Sequence, residues 1–186
     1  MTSLASSATS RVPATWVEGA VRQAIAGDEV AFARIVDAYH GDLVRVAYVV
    51  TGDVQSAQDA AQAAWSIAWR KLGSLRDPER VRPWLVSVAA NEARQIIRRQ
   101  HRQQVAEIKL GPQGDALRDP SADVDRLDLL DAVRRLKAED RSLLALRYVA
   151  GLDSNEIGTF VGMSPSGVRG HLSRLLRRLR RELHDG

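Results

Sequence analysis

Residues 153 to 181, DSNEIGTFVGMSPSGVRGHLSRLLRRLRR, constrain the fold more than any other stretch, because two helix starts and a helix stop are crowded into it. Asp153 can cap a first helix, with Glu156 three residues on reaching back, while Ile157, Phe160 and Val161 supply its apolar face. Gly162 ends it. Ser164 then fits a second N-cap, and Pro165 the first helical position, where a missing N–H costs nothing. The chain therefore restarts as a helix after a turn of about three residues, the pattern of a helix-turn-helix. In the second helix Val168, Leu172, Leu175, Leu176 and Leu179 form a buried stripe, leaving Ser166, Arg169, Gly170, Arg174 and Arg177 facing outward. Guanidinium forks match guanine edges and phosphates, and Gly170 permits close approach, so this face suits a DNA major groove. The plainer alternative is a solvated basic helix closing a bundle.

The rest of the chain points to an all-α protein. Aromatic residues make up 5% of it against a hydrophobic fraction of 45%, and a strand-rich fold would need more β-branched and aromatic alternation. The formal charge of +4 is carried almost wholly by arginine, with lysine only at Lys71, Lys109 and Lys137. Arginine suits bidentate phosphate and base contacts, although a GC-rich genome would give the same bias. With no cysteine, disulfides and thiolate metal sites are excluded. His40, His101, His171 and His184 do not fall at paired ligand spacings, so neither a metal site nor a cofactor is expected. No apolar run is long enough to span a bilayer and the first fifteen residues lack the features of a signal peptide. A cytoplasmic protein without membrane insertion is expected.

Read in order, residues 1–15 form a flexible tail. A short amphipathic helix follows from Trp16 to Ala26, ended by Gly27. Asp28 caps the next, whose inward residues Ala31, Phe32, Ile35, Val36 and Tyr39 are punctuated by Gly41 and Asp42 before Leu43, Val46, Ala47 and Val50 resume the spacing. A third helix, about Val54 to Leu72, has an apolar side of small alanines with Trp65. Its other side carries Asp59, Gln62, Ser66 and Arg70, on composition alone a solvated face. A loop over residues 73–84 leads to Pro83, from which a helix runs to about Gln103. Its buried arc is Leu85, Val88, Ala89, Ala93, Ile96 and Ile97, with Asn91, Arg94, Arg98 and Arg102 opposite. An arginine face with so few acids repels itself, so it fits beside a phosphate backbone or an acidic partner. Trp84 reads as a core anchor. Residues 104–124 lose periodicity and read as a flexible linker, long enough to leave the two domains with little direct contact. A second domain, residues 125–186, then holds four helices ending in the helix-turn-helix.

Two helical domains (16–103 and 125–186), a linker and an arginine-faced helix in each resemble an RNA polymerase sigma factor of the extracytoplasmic-function type, which carries regions 2 and 4. The segments that carry the resemblance are GDEVAFARIVDAY, QDAAQAAW, WLVSVAANEARQIIRR and LLALRYVAGLDSNEIGTFVGMSPSGVRGHLSRLLRRLR. It implies that Asp59, Gln62, Ser66 and Arg70 dock on core RNA polymerase, reversing the solvated-face reading. Family members usually carry acids where this chain has Gln58 and Ala63. It implies that the loop Gly73 to Arg82, with Arg76, and the helix with Asn91, Arg94, Arg98 and Arg102 open and hold the minus-ten element of promoter DNA, with a base flipped beside Asn91. The minus-thirty-five element falls to Ser166, Arg169, Gly170, His171, Arg174 and Arg177. Gly158 stands where the family often has alanine, which predicts a soft helix at a cost of about 1 kcal/mol. The family also implies an anti-sigma factor as partner.

The expected role is thus a non-enzymatic specificity subunit with no catalytic residues. No phosphate loop, nucleophile elbow or paired metal ligands support an enzyme. The competing reading is a conventional helix-turn-helix regulator that acts on duplex DNA without polymerase, usually as a dimer on a two-fold site.

Overall fold

The computed structural model describes residues 14–108 and 124–184, and among these every regular element is helical. Helices α1 (Ala14–Ile25), α2 (Glu29–Thr51), α3 (Val54–Lys71) and α4 (Val81–Ile108) build the first domain, with single 3-10 turns at Leu72–Ser74 and Pro78–Arg80 between α3 and α4. The second contains α5 (Val124–Arg134), α6 (Ala138–Leu144), a π-helical segment (Ala145–Val149), α7 (Ser154–Val161) and α8 (Pro165–His184). Most of the expected N-terminal tail and the centre of the expected linker lie outside the described residues. The linker's first five positions are helical, because α4 runs to Ile108 rather than stopping near Gln103.

Caps set the boundaries where the side-chain chemistry predicts them. Asp28 accepts from the backbone N–H groups of Val30 and Ala31 at 2.9 and 3.0 Å, satisfying donors that a helix start leaves orphaned. Asp53 accepts from Ser56 N–H at 2.7 Å, and these backbone bonds hold its carboxyl below the usual range. Gly52 ends α2 in the left-handed region at φ 75°, a conformation that a side chain disfavours. Two punctuation marks do not break helices. Gly41 and Asp42 sit inside a continuous α2, since the apolar spacing on either side is in phase and tertiary packing outweighs one glycine. Pro83 lies in the first turn of α4, two residues after its start at Val81, where an absent N–H is still harmless.

The first core lies between α2, α3 and α4. Ala57, Ala60, Ala61, Ala64 and Ala68 are wholly buried along α3, and small side chains let helix backbones approach closely while packing at crystal-like density. Leu43, Val46 and Val50 of α2 and Leu85, Val86 and Ala89 of α4 fill the space opposite. Phe32 meets Trp65 edge-on at 5.8 Å, and Trp65 Nε1 donates to His40 Nδ1 at 3.2 Å, so the buried indole keeps its polar atom satisfied.

In the second domain Ile157, Val168, Leu172, Leu175 and Leu179 are buried, as the spacing predicts, with Leu176 partly so. The capping box is present: Asp153 accepts from Asn155 and Glu156 N–H, and Glu156 accepts from Asp153 N–H at 2.8 Å. Gly158 does not merely soften α7. A Cβ at this position would lie 2.5 Å from the carbonyl oxygen of Met163, so the glycine lets the turn close tightly on the helix. Gly158→Ala is therefore expected to destabilise the protein by about 1 kcal/mol or more despite alanine's better propensity, seen as a lower urea midpoint.

The two domains touch, contrary to the expectation of a linker that keeps them apart. Helix α6 lies against α2 and α4, and α7 against α4. Arg82 Nη1 donates to the Ala150 carbonyl at 2.9 Å, and Arg134 Nη2 to that of Gly52 at 3.1 Å. One contiguous set of buried residues runs through both domains.

Candidate nucleic-acid and partner interface

Three exposed faces emerge from this packing. On α3, burial of the alanine side leaves Asp59, Gln62, Ser66 and Arg70 exposed together, since residues three and four apart share a helix face. Gln55 Nε2 donates to Asp59 Oδ1 at 3.0 Å, and Ser66 Oγ donates to the Gln62 carbonyl at 3.2 Å. Trp69, 43% exposed, borders this face and stacks edge-on with Phe32 at 4.9 Å. The spacing of the sequence does not single it out.

The second face belongs to α4. Asn91, Arg98 and Arg102 are exposed, Arg94 is half-buried, and Arg76 lies exposed in the loop before the helix. Arg94 Nη2 donates to Asn91 Oδ1 at 2.9 Å, which fixes the orientation of the amide. Arg94 Nε is buried without a partner. Its own burial, then the charge of Arg98, pulls the Arg94 guanidinium below its ordinary pKa. Beside Asn91 and Arg94 opens a cavity of about 410 Å³, with Trp84, Glu92 and Gln95 on the α4 side and Ser142, Leu146 and Phe160 on the second domain's side. Trp84 packs against the core as a half-buried anchor while also lining this cavity.

The α4 arginines are not wholly uncompensated. Arg98 Nη2 donates to Glu139 Oε1 of α6 at 2.7 Å. The bond to Arg98 holds the Glu139 carboxyl below its usual range. Glu139 carries no local signature in the sequence, because it sits 41 residues away from its partner.

The third face is the outer side of α8. Ser166, Arg169, Arg174 and Arg177 are exposed, and Gly170 is half-exposed with the Arg174 guanidinium packed above it. Ser164 Oγ accepts from Gly167 N–H at 3.1 Å, so the predicted cap starts this helix. His171 is placed differently from its neighbours. Its Nε2 lies 2.7 Å from Asp140 Oδ1 of α6, while the ring still lines a surface pocket together with Arg174, Arg177 and Arg178. Among the described residues no cluster of three or more His, Asp or Glu side chains could hold a metal ion, and no helix is long and apolar enough to cross a membrane.

Comparison with known proteins assigns both domains. Residues 35–103 match the family model for sigma-70 region 2, and residues 126–179 that for sigma-70 region 4. The extracytoplasmic-function RNA polymerase sigma factor SigW of Bacillus subtilis is 27% identical over 89% of this chain and 95% of its own. The RNA polymerase sigma factor CarQ of Myxococcus xanthus is 32% identical over 83% of this chain and 87% of its own. RfaY of Xanthomonas campestris pv. campestris, 30% identical over 86% of this chain, is longer, and the chain spans 42% of its length. Among solved structures, the sigma factor RpoE of Bartonella quintana, crystallised with the anti-sigma factor NepR, superposes with a TM-score of 0.68 at 20% identity, covering 82% of this chain and 96% of that one. Regions 2 and 4 fall in order on the two helical domains, and the identity with CarQ extends along most of both chains. The chain belongs to the sigma-70 family of RNA polymerase sigma factors, in its extracytoplasmic-function branch.

Proposed function

We propose that this sigma factor binds core RNA polymerase through the exposed face of α3 and reads promoter DNA through α4 and α8, performing no chemistry itself. The observation that carries the reading is the pairing of two arginine faces, one on each matched region, each set on a helix whose opposite side is buried in its own core. In this assignment Asp59, Gln62, Ser66 and Arg70 dock on the polymerase, with Trp69 at the rim. Arg76, Asn91, Arg94, Arg98 and Arg102 hold the minus-ten element. Ser166, Arg169, Gly170, Arg174 and Arg177 read the minus-thirty-five element, and His171 beside them braces α8 on α6. An anti-sigma factor is a further proposed partner, by analogy with the NepR complex of RpoE. The site of action is the cytoplasm, where the polymerase works.

The division of labour has a physical basis. A base must leave its stack before an amide can read its edge, and Asn91 stands at the mouth of a cavity with its amide already held by Arg94. Asn91→Ala is expected to slow promoter opening about tenfold with upstream duplex binding little changed, because a base-edge contact is worth roughly 1–3 kcal/mol. Permanganate reactivity of unpaired thymines in a reconstituted complex measures this directly. The decisive experiment for the whole assignment is run-off transcription with purified core enzyme. Start-site selection that depends on this chain supports it. Tight duplex binding without any effect on the polymerase favours the conventional regulator instead.

A further inference from the structure

We infer that Glu92 is the base selector of α4: beside Asn91 it admits a base that carries an exocyclic amine next to a bare ring nitrogen, which means adenine or cytosine. The inference rests on the assignment of α4 given above and names what that site selects. Glu92 is 8% exposed, and a carboxylate is withdrawn from water at a high cost unless donors meet it. Its Oε1 has them: Gln95 Nε2 donates at 2.7 Å, and Asn91 Nδ2 lies 3.5 Å away. Its Oε2 accepts no hydrogen bond from the described residues, although the side chain lines the cavity of about 410 Å³. One strong acceptor is thus left for whatever enters.

The chemistry of that acceptor narrows the occupant. A phosphate oxygen is refused, since both groups only accept, so the arginines of the same helix hold the strand's backbone while Glu92 keeps it out of the cavity. Asn91 supplies the other half of the reader. Arg94 Nη2 holds its Oδ1, which leaves Nδ2 as the end of the amide free to meet a base. A donor and an acceptor side by side complement adenine N1 with N6, or cytosine N3 with N4. Thymine and guanine fail in the same pose, because each has a carbonyl in place of the amine and a hydrogen on the neighbouring ring nitrogen. Asn91, Glu92, Arg94 and Gln95 all fall within little more than one turn of α4, so the selector is a single rigid unit.

The test uses the full chain with purified core enzyme on premelted promoter templates, in which each non-template position of the minus-ten element is varied in turn through all four bases. Binding is read by competition. At the position whose base enters the cavity, adenine or cytosine is expected to be held about tenfold more tightly than thymine or guanine, the scale of one base-edge pair. In Glu92→Gln, whose amide can turn to donate, that ratio should fall to about twofold or less, whatever the lost charge does to all four bases alike. A second measurement leaves the protein unaltered: pyrimidinone in place of cytosine, or purine in place of adenine, removes only the amine. Each analogue should lose the advantage on the unaltered chain and bind Glu92→Gln as the natural base does. Equal binding of the four bases at every position, or a preference that survives either change, overturns the selector and leaves α4 standing as the minus-ten reader. Absence of any stable complex with core enzyme would instead sink that assignment, and the selector with it.

Discussion

Replacing Ile157 with alanine is expected to lower the stability of the second domain by about 2–5 kcal/mol, the range for removing a large aliphatic side chain from a packed site. Ile157 is wholly buried in the short helix α7, which packs against α8. A body of some sixty residues has little surface burial to spare, so a loss of this size removes a large share of what holds it folded. The expected result is a transition at lower urea in far-UV circular dichroism, leaving α1 to α4 to unfold later as a separate step. Ile157→Val, which keeps most of the volume, should recover all but about 0.5–1.5 kcal/mol. A variant that unfolds in one step at an unchanged midpoint would show that α7 is not held by this side chain.

Arg169→Ala is expected to cut run-off transcription from a cognate promoter about tenfold or more while leaving the fold intact. Arg169 is exposed and, among the described residues, has no ion pair, so its removal leaves no buried group stranded. A guanidinium bonded to a guanine edge contributes roughly 1–3 kcal/mol of discrimination, or about five- to 150-fold. The same loss has two possible origins that salt separates. Removal of a base contact relaxes sequence preference at one position, whereas removal of a phosphate contact weakens all sequences alike and lowers the salt slope by about one. Binding to a promoter duplex and its point variants over a range of salt distinguishes them, and unchanged binding throughout excludes Arg169 from the interface.

Much of this architecture was legible because its signals are local. A cap needs an acceptor and N–H groups two or three residues on, and Asp28, Asp53 and Asp153 supply that geometry within their own turns. Stripes such as Val168, Leu172, Leu175 and Leu179 follow from helix pitch alone. Features that depend on distant partners were not legible. Glu139 beside Arg98 and His171 beside Asp140 are separated by 41 and 31 residues, and nothing in either neighbourhood announces the other. Gly158 was misjudged for the same reason: propensity is a property of one residue, while its requirement comes from the Met163 carbonyl across the turn. The docking role proposed for α3 rests on family resemblance, since an exposed polar face looks the same whether it meets water or a protein.

The π-helical segment between α6 and α7 has a directional effect. Ala150 N–H reaches back five residues to the Ala145 carbonyl, so the chain carries one residue more than an α-helical ladder would count. Each residue of helix turns the chain by about 100°. The bearing on which the chain departs toward its last two helices is accordingly offset by nearly that angle from where uninterrupted winding would aim it. The compass heading of the basic rod is thus written in main-chain bonding upstream of it.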